Sequence, residues 1–149
     1  MIARKDKIEE LAVGIEIAAA YLGRDKDGDG WERDNWNVTL RYRGREYSGI
    51  AYHMGTGHST AKTRADGALG MVAIPNWKAT PPTASAVVDS LLLDSEARDQ
   101  TFDEWCDGFG YDTDSRKAEA MYKACAKTGL LLARLLGSDF ERFRQAERL

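Results

Sequence analysis

The chain has 149 residues, of which 43% are hydrophobic and 30% charged, the composition of one globular domain whose core needs neither metal nor disulfide. The longest apolar runs are as short as Ile17–Leu22, and charged residues fill the N-terminal sequence MIARKDKIEEL. This pattern excludes a membrane-spanning helix and a signal peptide, so we expect a cytoplasmic protein. In that reducing compartment, Cys106 and Cys125 are expected to be reduced core thiols.

The first half of the chain, residues 1–74, has the pattern of a helix followed by three strands. A short helix is predicted over residues 3–12, and alternation of apolar residues favours a strand over 14–22. Residues 23–35 read as a polar loop. The clearest strand follows, where alternate positions are apolar: Trp36, Val38, Leu40 and Tyr42.

A tight turn at Arg43-Gly44 leads into a third predicted strand over 45–53, because glycine tolerates the positive φ that such turns require. A glycine-rich loop and a short helix over Ala61–Leu69 come next. Residues 75–82 hold all three prolines and are interpreted as a linker between the α/β half and a helical half, 83–149.

The helical half shows start signals for four helices. Thr83 caps a helix that runs to about Leu93, and Thr101 with Glu104 forms a capping box. The longest helix is predicted over 114–136 with Gly137 as its end, and Ser138–Glu141 forms a second capping box. We therefore predict a single α+β domain over 1–149, an α-β-β-β-α unit with an antiparallel three-stranded sheet followed by a C-terminal helical part.

One acidic loop matches the first half of a calcium-binding EF-hand loop, with carboxylates at alternate positions: Asp25, Asp27 and Asp29. The position that needs a bidentate glutamate is Trp36, so the match fails there. A turn-rich hairpin loop is the favoured interpretation, and adventitious binding of a divalent cation is the alternative. No other cofactor is predicted.

The two histidines, His53 and His58, lie five residues apart around a glycine-rich loop. No recognised metal or nucleophile motif surrounds them, so we do not predict an enzyme. The loop Gly55-Thr-Gly-His-Ser59, after α-β-β-β and before a helix, resembles the loop entering the second helix of double-stranded RNA-binding domains. Thr60 and Ala61 replace the lysine pair of that family. The resemblance implies a similar layout over about residues 3–70 and a nucleic-acid surface built from Arg41, Arg43, Arg45, His58, Lys62 and Arg64.

Charge is arranged in blocks along the chain. Residues 1–88 have a net charge of +1, residues 89–114 carry nine acids against Arg98 alone, and residues 116–149 have a net charge of +4. Helix capping by Asp112 and Asp114 explains part of the acidic block. Four acids have no such explanation: Asp89, Asp94, Glu96 and Asp99. They are expected to form, with Asp103, Glu104 and Asp107, one negative patch that binds a basic partner.

The segment from Phe102 to Cys125, with the sequence YDTDSRKAEAMYKAC at its end, resembles small, mostly uncharacterised proteins encoded by phages and prophages. The resemblance implies expression in a bacterial host. Together with the acidic block it predicts a non-catalytic inhibitor of a bacterial defence complex, anti-CRISPR-like or anti-restriction. The partner would be a defence protein or ribonucleoprotein with a basic surface. The alternative is a nucleic-acid-binding module that uses the basic 41–64 region.

Overall fold

A computed structural model describes residues 3–26, 32–54, 71–74 and 81–149. Helix α1 (Arg4–Ala12) is followed by strands β1 (Glu16–Lys26), β2 (Glu32–Tyr42), β3 (Arg45–Met54) and β4 (Met71–Ile74). The remaining helices are α2 (Ala84–Ser95), α3 (Phe102–Phe109), α4 (Arg116–Leu136) and α5 (Phe140–Glu147), with short 3₁₀ turns at Glu96–Asp99 and Gly137–Asp139. The predicted α+β class is confirmed. The helix predicted over Ala61–Leu69 and most of the proline-containing linker lie outside the described residues.

The sheet has the order β1-β2-β3-β4, and its first three strands are antiparallel as predicted. β4, which the sequence did not predict, pairs with β3 in parallel, with Ile50 opposite Met71. The predicted polar loop over 23–35 is largely strand, since β1 continues to Lys26 and β2 starts at Glu32. A bulge at Leu22, between Tyr21 and Gly23, lets β1 continue past the point where its apolar alternation ends.

The turn between β2 and β3 has the predicted tight form. Arg43 has φ 49° and Gly44 has φ 79°, the two positive angles that match the right-handed twist of a hairpin. β2 buries its apolar positions, and Val38 and Leu40 are completely inaccessible to solvent. The alternation read from the sequence therefore identified the face of β2 that meets the helices.

One core joins the sheet to the helical half. Apolar residues of β2, among them Val38, pack in the same cluster as Leu91 of α2, Leu132 of α4 and Phe143 of α5. A second cluster, built around Trp105 of α3, lies between α3 and α4. The two clusters place the sheet beneath α2, α4 and α5, and leave α3 at the side of the helical layer.

The second predicted capping box is wrong. The side chain of Asp139 makes no capping hydrogen bond at the start of α5. Instead, Tyr42 donates its hydroxyl to Asp139 at 2.5 Å, and Arg43 pairs with the same carboxylate at 3.2 Å. Asp139 thus ties the end of β2 to the α4–α5 junction, which a local motif search does not see.

We expect Tyr42→Phe to lower Tm by about 2–4 °C at pH 7, because it removes a buried hydrogen bond to an ionised carboxylate. The hydrogen bond from Tyr42 is the main cause that lowers the pKa of Asp139, so this contribution is present above the ordinary carboxyl range and is lost as pH falls through the lowered pKa. Thermal melts at pH 7 and pH 3 test this, and a deficit that is equal at both would contradict it.

Candidate interaction surface

The acids of α2 and the following turn have structural partners, which corrects the expectation that they lack one. Asp89 accepts hydrogen bonds from the guanidinium of Arg4 on α1, one of them from Nη1 at 3.1 Å. Asp94 is buried, with 7% of its surface exposed. Neither residue offers a free charge to a partner, so both serve the packing of α2 within the domain.

Glu96 and Asp99 face the C-terminal helix. Arg144 of α5 reaches Glu96 at 3.1 Å and Asp99 at 2.5 Å, and Arg148 reaches the same two carboxylates at 3.3 and 3.5 Å. Arg144 is 96% buried by side-chain area, whereas Asp99 is still half exposed. The acidic and basic blocks of the sequence therefore partly neutralise each other inside one molecule.

Within the acidic block 89–114, the exposed carboxylates without an ion pair to a described residue lie on α3 and the turn after it. We call the five residues Asp103, Glu104, Asp107, Asp112 and Asp114 the acidic corner; all are exposed. Within the described ranges none of them forms an ion pair with a Lys or Arg. Three belong to the patch predicted from the sequence, and the other two had been interpreted as helix caps.

The run Asp112-Thr-Asp-Ser115 offers several N-cap candidates for α4, and the structure uses the last of them. Ser115 accepts a hydrogen bond from the main-chain N–H of Ala118 at 3.1 Å, and is the N-cap of the helix. Asp112 instead accepts from the main-chain N–H of Asp114 at 3.0 Å, which rigidifies the turn. Asp112 and Asp114 are therefore not the N-cap of α4, and both carboxylates are exposed.

α3 itself starts with the predicted capping box, which is confirmed. The Thr101 N–H donates to Glu104 Oε1 at 3.0 Å, and the Glu104 N–H donates to Thr101 Oγ1 at 3.2 Å. The hydrogen bond from the Thr101 main-chain N–H holds the pKa of Glu104 below its usual value. Glu104 is therefore ionised at neutral pH, and the capping box fixes the N-terminal end of α3.

Aromatic side chains of α3 and the following turn pack together next to the acidic corner. Trp105, 2% exposed, stacks on Tyr111 with ring centres 5.6 Å apart, and Phe109 stacks on Tyr111 at 5.8 Å. The hydroxyl of Tyr122 on α4 donates to the Gln100 carbonyl at 2.5 Å and holds the start of α3. Phe109 and Tyr111 are half-buried, so they present apolar surface beside the carboxylates.

Both cysteines are free and buried, as predicted. Burial raises the pKa of the Cys106 thiol, and the carboxylates of Asp103 and Asp112 raise it further. Cys106 is therefore a protonated thiol at neutral pH, which is poorly suited to act as a nucleophile.

The arginines of the alternative nucleic-acid surface also have internal contacts. Arg41 pairs with Glu46 at 2.9 Å, Arg43 pairs with Asp139, and Arg45 donates to the Leu135 carbonyl at 2.8 Å. The guanidinium groups of the first two remain largely exposed. His58, Lys62 and Arg64 lie outside the described residues.

Asp25, which was predicted to belong to a cation-binding loop, forms contacts within the sheet instead. It accepts from Arg33 at 2.8 Å and from the Asn35 amide at 2.9 Å; the Arg33 contact is the main cause that lowers its pKa. Asp27 and Asp29 lie outside the described residues, and so does the loop they would form. Among the residues the structure describes, no cluster of three or more His, Cys, Asp or Glu is placed to hold a metal ion.

The charge blocks of the sequence contain a signal for the Arg144 and Arg148 contacts. The net charge of +4 in 116–149 complements the net charge of −8 in 89–114, and the two blocks meet across α2 and α5.

In the described part of the chain, no helix has the length and apolar character needed to cross a membrane. Comparisons with protein-family models, curated proteins and solved structures found no match to the chain.

Proposed function

We propose that the chain is a non-catalytic inhibitor of a bacterial defence complex, of the anti-CRISPR or anti-restriction type, and that the acidic corner is its binding surface. The observation that carries the proposal is the set of five exposed carboxylates on one rigid corner without cationic partners in the described ranges. The earlier patch is thereby reduced to its α3 part, Asp103, Glu104 and Asp107, and extended by Asp112 and Asp114.

The corner suits a protein that binds a basic groove. Complementary charge speeds encounter and fixes orientation, and these exposed carboxylates need not give up an internal ion pair to bind a Lys or Arg. The half-buried rings of Phe109 and Tyr111 supply apolar contacts beside the charges. Because the capping box and the stacked rings already order α3, little conformational entropy is lost on binding.

The nature of the partner is supported by the resemblance of the α3–α4 segment to phage and prophage proteins. A phage protein acts inside a bacterial host, where complexes that handle nucleic acid present channels lined with Lys and Arg. A group of exposed carboxylates carries the same sign of charge as the phosphates that such channels bind. The proposed partner is therefore a defence protein or ribonucleoprotein whose nucleic-acid channel accepts the acidic corner.

Reversal of charge at the corner tests the proposal. We expect the double substitution Asp103→Lys/Asp107→Lys to weaken inhibition at least about tenfold, because each reversal replaces an attraction by a repulsion in the interface. The measurement is phage plating efficiency on strains that carry one CRISPR–Cas or one restriction system and express the chain. The wild-type chain should restore plaques in a strain whose defence system it inhibits.

The matched control is Glu9→Lys/Glu141→Lys, which makes the same change in net charge on exposed acids of α1 and α5, away from α3. Inhibition that survives the Asp103/Asp107 reversal in a folded variant would remove the corner as the contact. Wild-type chain that protects phage in none of a panel of defence strains would overturn the function itself.

A binding experiment tests the alternative that the chain is a nucleic-acid-binding module. Arg41 and Arg43 keep exposed guanidinium groups at the end of the β2–β3 hairpin. Electrophoretic shift of duplex RNA or DNA at low salt by wild-type chain, lost in Arg41→Ala/Arg43→Ala, would favour that alternative over the proposed inhibitor.

A further inference from the structure

The last turn of α5 buries a carboxyl oxygen that has no hydrogen-bond donor. Glu147 Oε2 is inaccessible to solvent and receives no hydrogen bond from the described residues. The carboxyl group of Glu147 lies beside that of Glu96, which follows α2, and a hydrogen bond between the two is among the causes that shift their pKa values. Two carboxyl groups in contact need a shared proton, because two adjacent anions repel each other strongly when partly removed from water.

In the described residues, no neighbouring cation donates to the Glu147 carboxyl group, although Arg144 Nε is itself buried without a hydrogen-bond partner. Arg144 and Arg148 of α5 pair with Glu96 and Asp99. The guanidinium of Arg4 on α1 pairs with Asp89, and its Nε donates to the main-chain carbonyl of Glu147 at 2.8 Å, not to its carboxyl group. These charged groups come from α1, α2, α5 and the turn after α2.

We propose that a proton shared between Glu96 and Glu147 controls the docking of the C-terminal turn of α5 onto α1 and α2, so that this turn opens as pH rises through neutrality. The turn carries Ala146, a core residue, and the Arg4 contact to the Glu147 carbonyl. Loss of the proton places two anions side by side at the C-terminal end of a helix, where the helix dipole also disfavours negative charge.

The direction of the pH effect follows from the carboxyl pair. Burial, followed by the hydrogen bond and the charge of Glu96, raises the pKa of Glu147 to about 7. A folded-state pKa above the value in the open chain stabilises the docked turn at low pH, and this stabilisation is lost between the ordinary glutamate range and about pH 7. This is the opposite of the usual behaviour of a paired carboxylate such as Asp139.

Hydrogen exchange of the α5 main-chain amides tests the proposal. Between pH 5.5 and 8 we expect protection factors near the end of α5 to fall about fivefold, a linkage effect reduced by the partial solvent exposure of the pair. Glu147→Gln keeps the shape and donates from its amide to Glu96. It should show a flat profile, with protection at pH 8 as high as that of the wild type at pH 5.5.

The control is Glu141→Gln, the same change in charge on an exposed residue of the same helix, which should keep the wild-type profile. The wild-type carboxyl titration, followed by NMR, is independent of any variant and should show Glu147 losing its proton near neutrality. A Glu147 carboxyl that titrates in the ordinary range, or a Glu147→Gln protein that keeps the pH dependence, would overturn the proposal.

Discussion

Gly129→Val should destabilise the protein by about 3 kcal/mol, because it forces a side chain into the contact between α4 and α2. A β-carbon added at Gly129 would lie 2.9 Å from the main-chain Cα of Ser95 and 2.7 Å from Cδ of Arg98. The arginine side chain moves readily, but the backbone of Ser95 does not. The helices must therefore separate, which loosens the core around Leu91 and Leu132. Urea unfolding measures the loss.

Gly108 in α3 supplies the matched control. It is also a helical glycine, but a β-carbon at Gly108 meets nothing within 4 Å. Gly108→Val should change stability by less than about 0.5 kcal/mol, since valine and glycine differ little in helix propensity compared with a steric clash. Equal costs at the two positions would show that local propensity, and not the α2–α4 contact, dominates at Gly129.

Arg144→Ala is expected to cost about 2–4 kcal/mol, because it removes a buried guanidinium and leaves the Glu96 and Asp99 carboxylates without their closest cation. The range lies below that of a fully buried pair since Asp99 is half exposed and Arg148 still reaches both acids. Thermal and urea unfolding at pH 7 measure the effect.

Arg142→Ala is the comparison for this loss. Arg142 lies on the same helix and contacts Asp139 at 3.4 Å, but 62% of its side chain is exposed. Its removal should cost less than about 1 kcal/mol, as is usual for surface pairs. If Arg144→Ala were no more harmful than Arg142→Ala, the contact between the acidic and basic blocks would be a minor feature of the fold.

Elements whose signals are local could be predicted. The alternation of Trp36 to Tyr42 identified β2, the Arg43-Gly44 pair identified its turn, and Thr101 with Glu104 identified the start of α3. In each case the signal itself lies in residues a few positions apart in the sequence. The strand β4 was missed because its four residues show no alternation of their own, and its pairing with β3 is parallel.

The acidic residues show the same division between features that local sequence determines and features that only the tertiary structure decides. The order of residues in the sequence by itself determined that charges of like sign are grouped in blocks. It also determined that α3 carries exposed carboxylates, since these depend on residue type and helical position. Only the tertiary structure decided which acids are neutralised. Glu96 and Arg148 are 52 residues apart, and Tyr42 and Asp139 are 97 apart. Contacts at such separations are set by the packing of α5 against α2 and the sheet, and no local pattern encodes them.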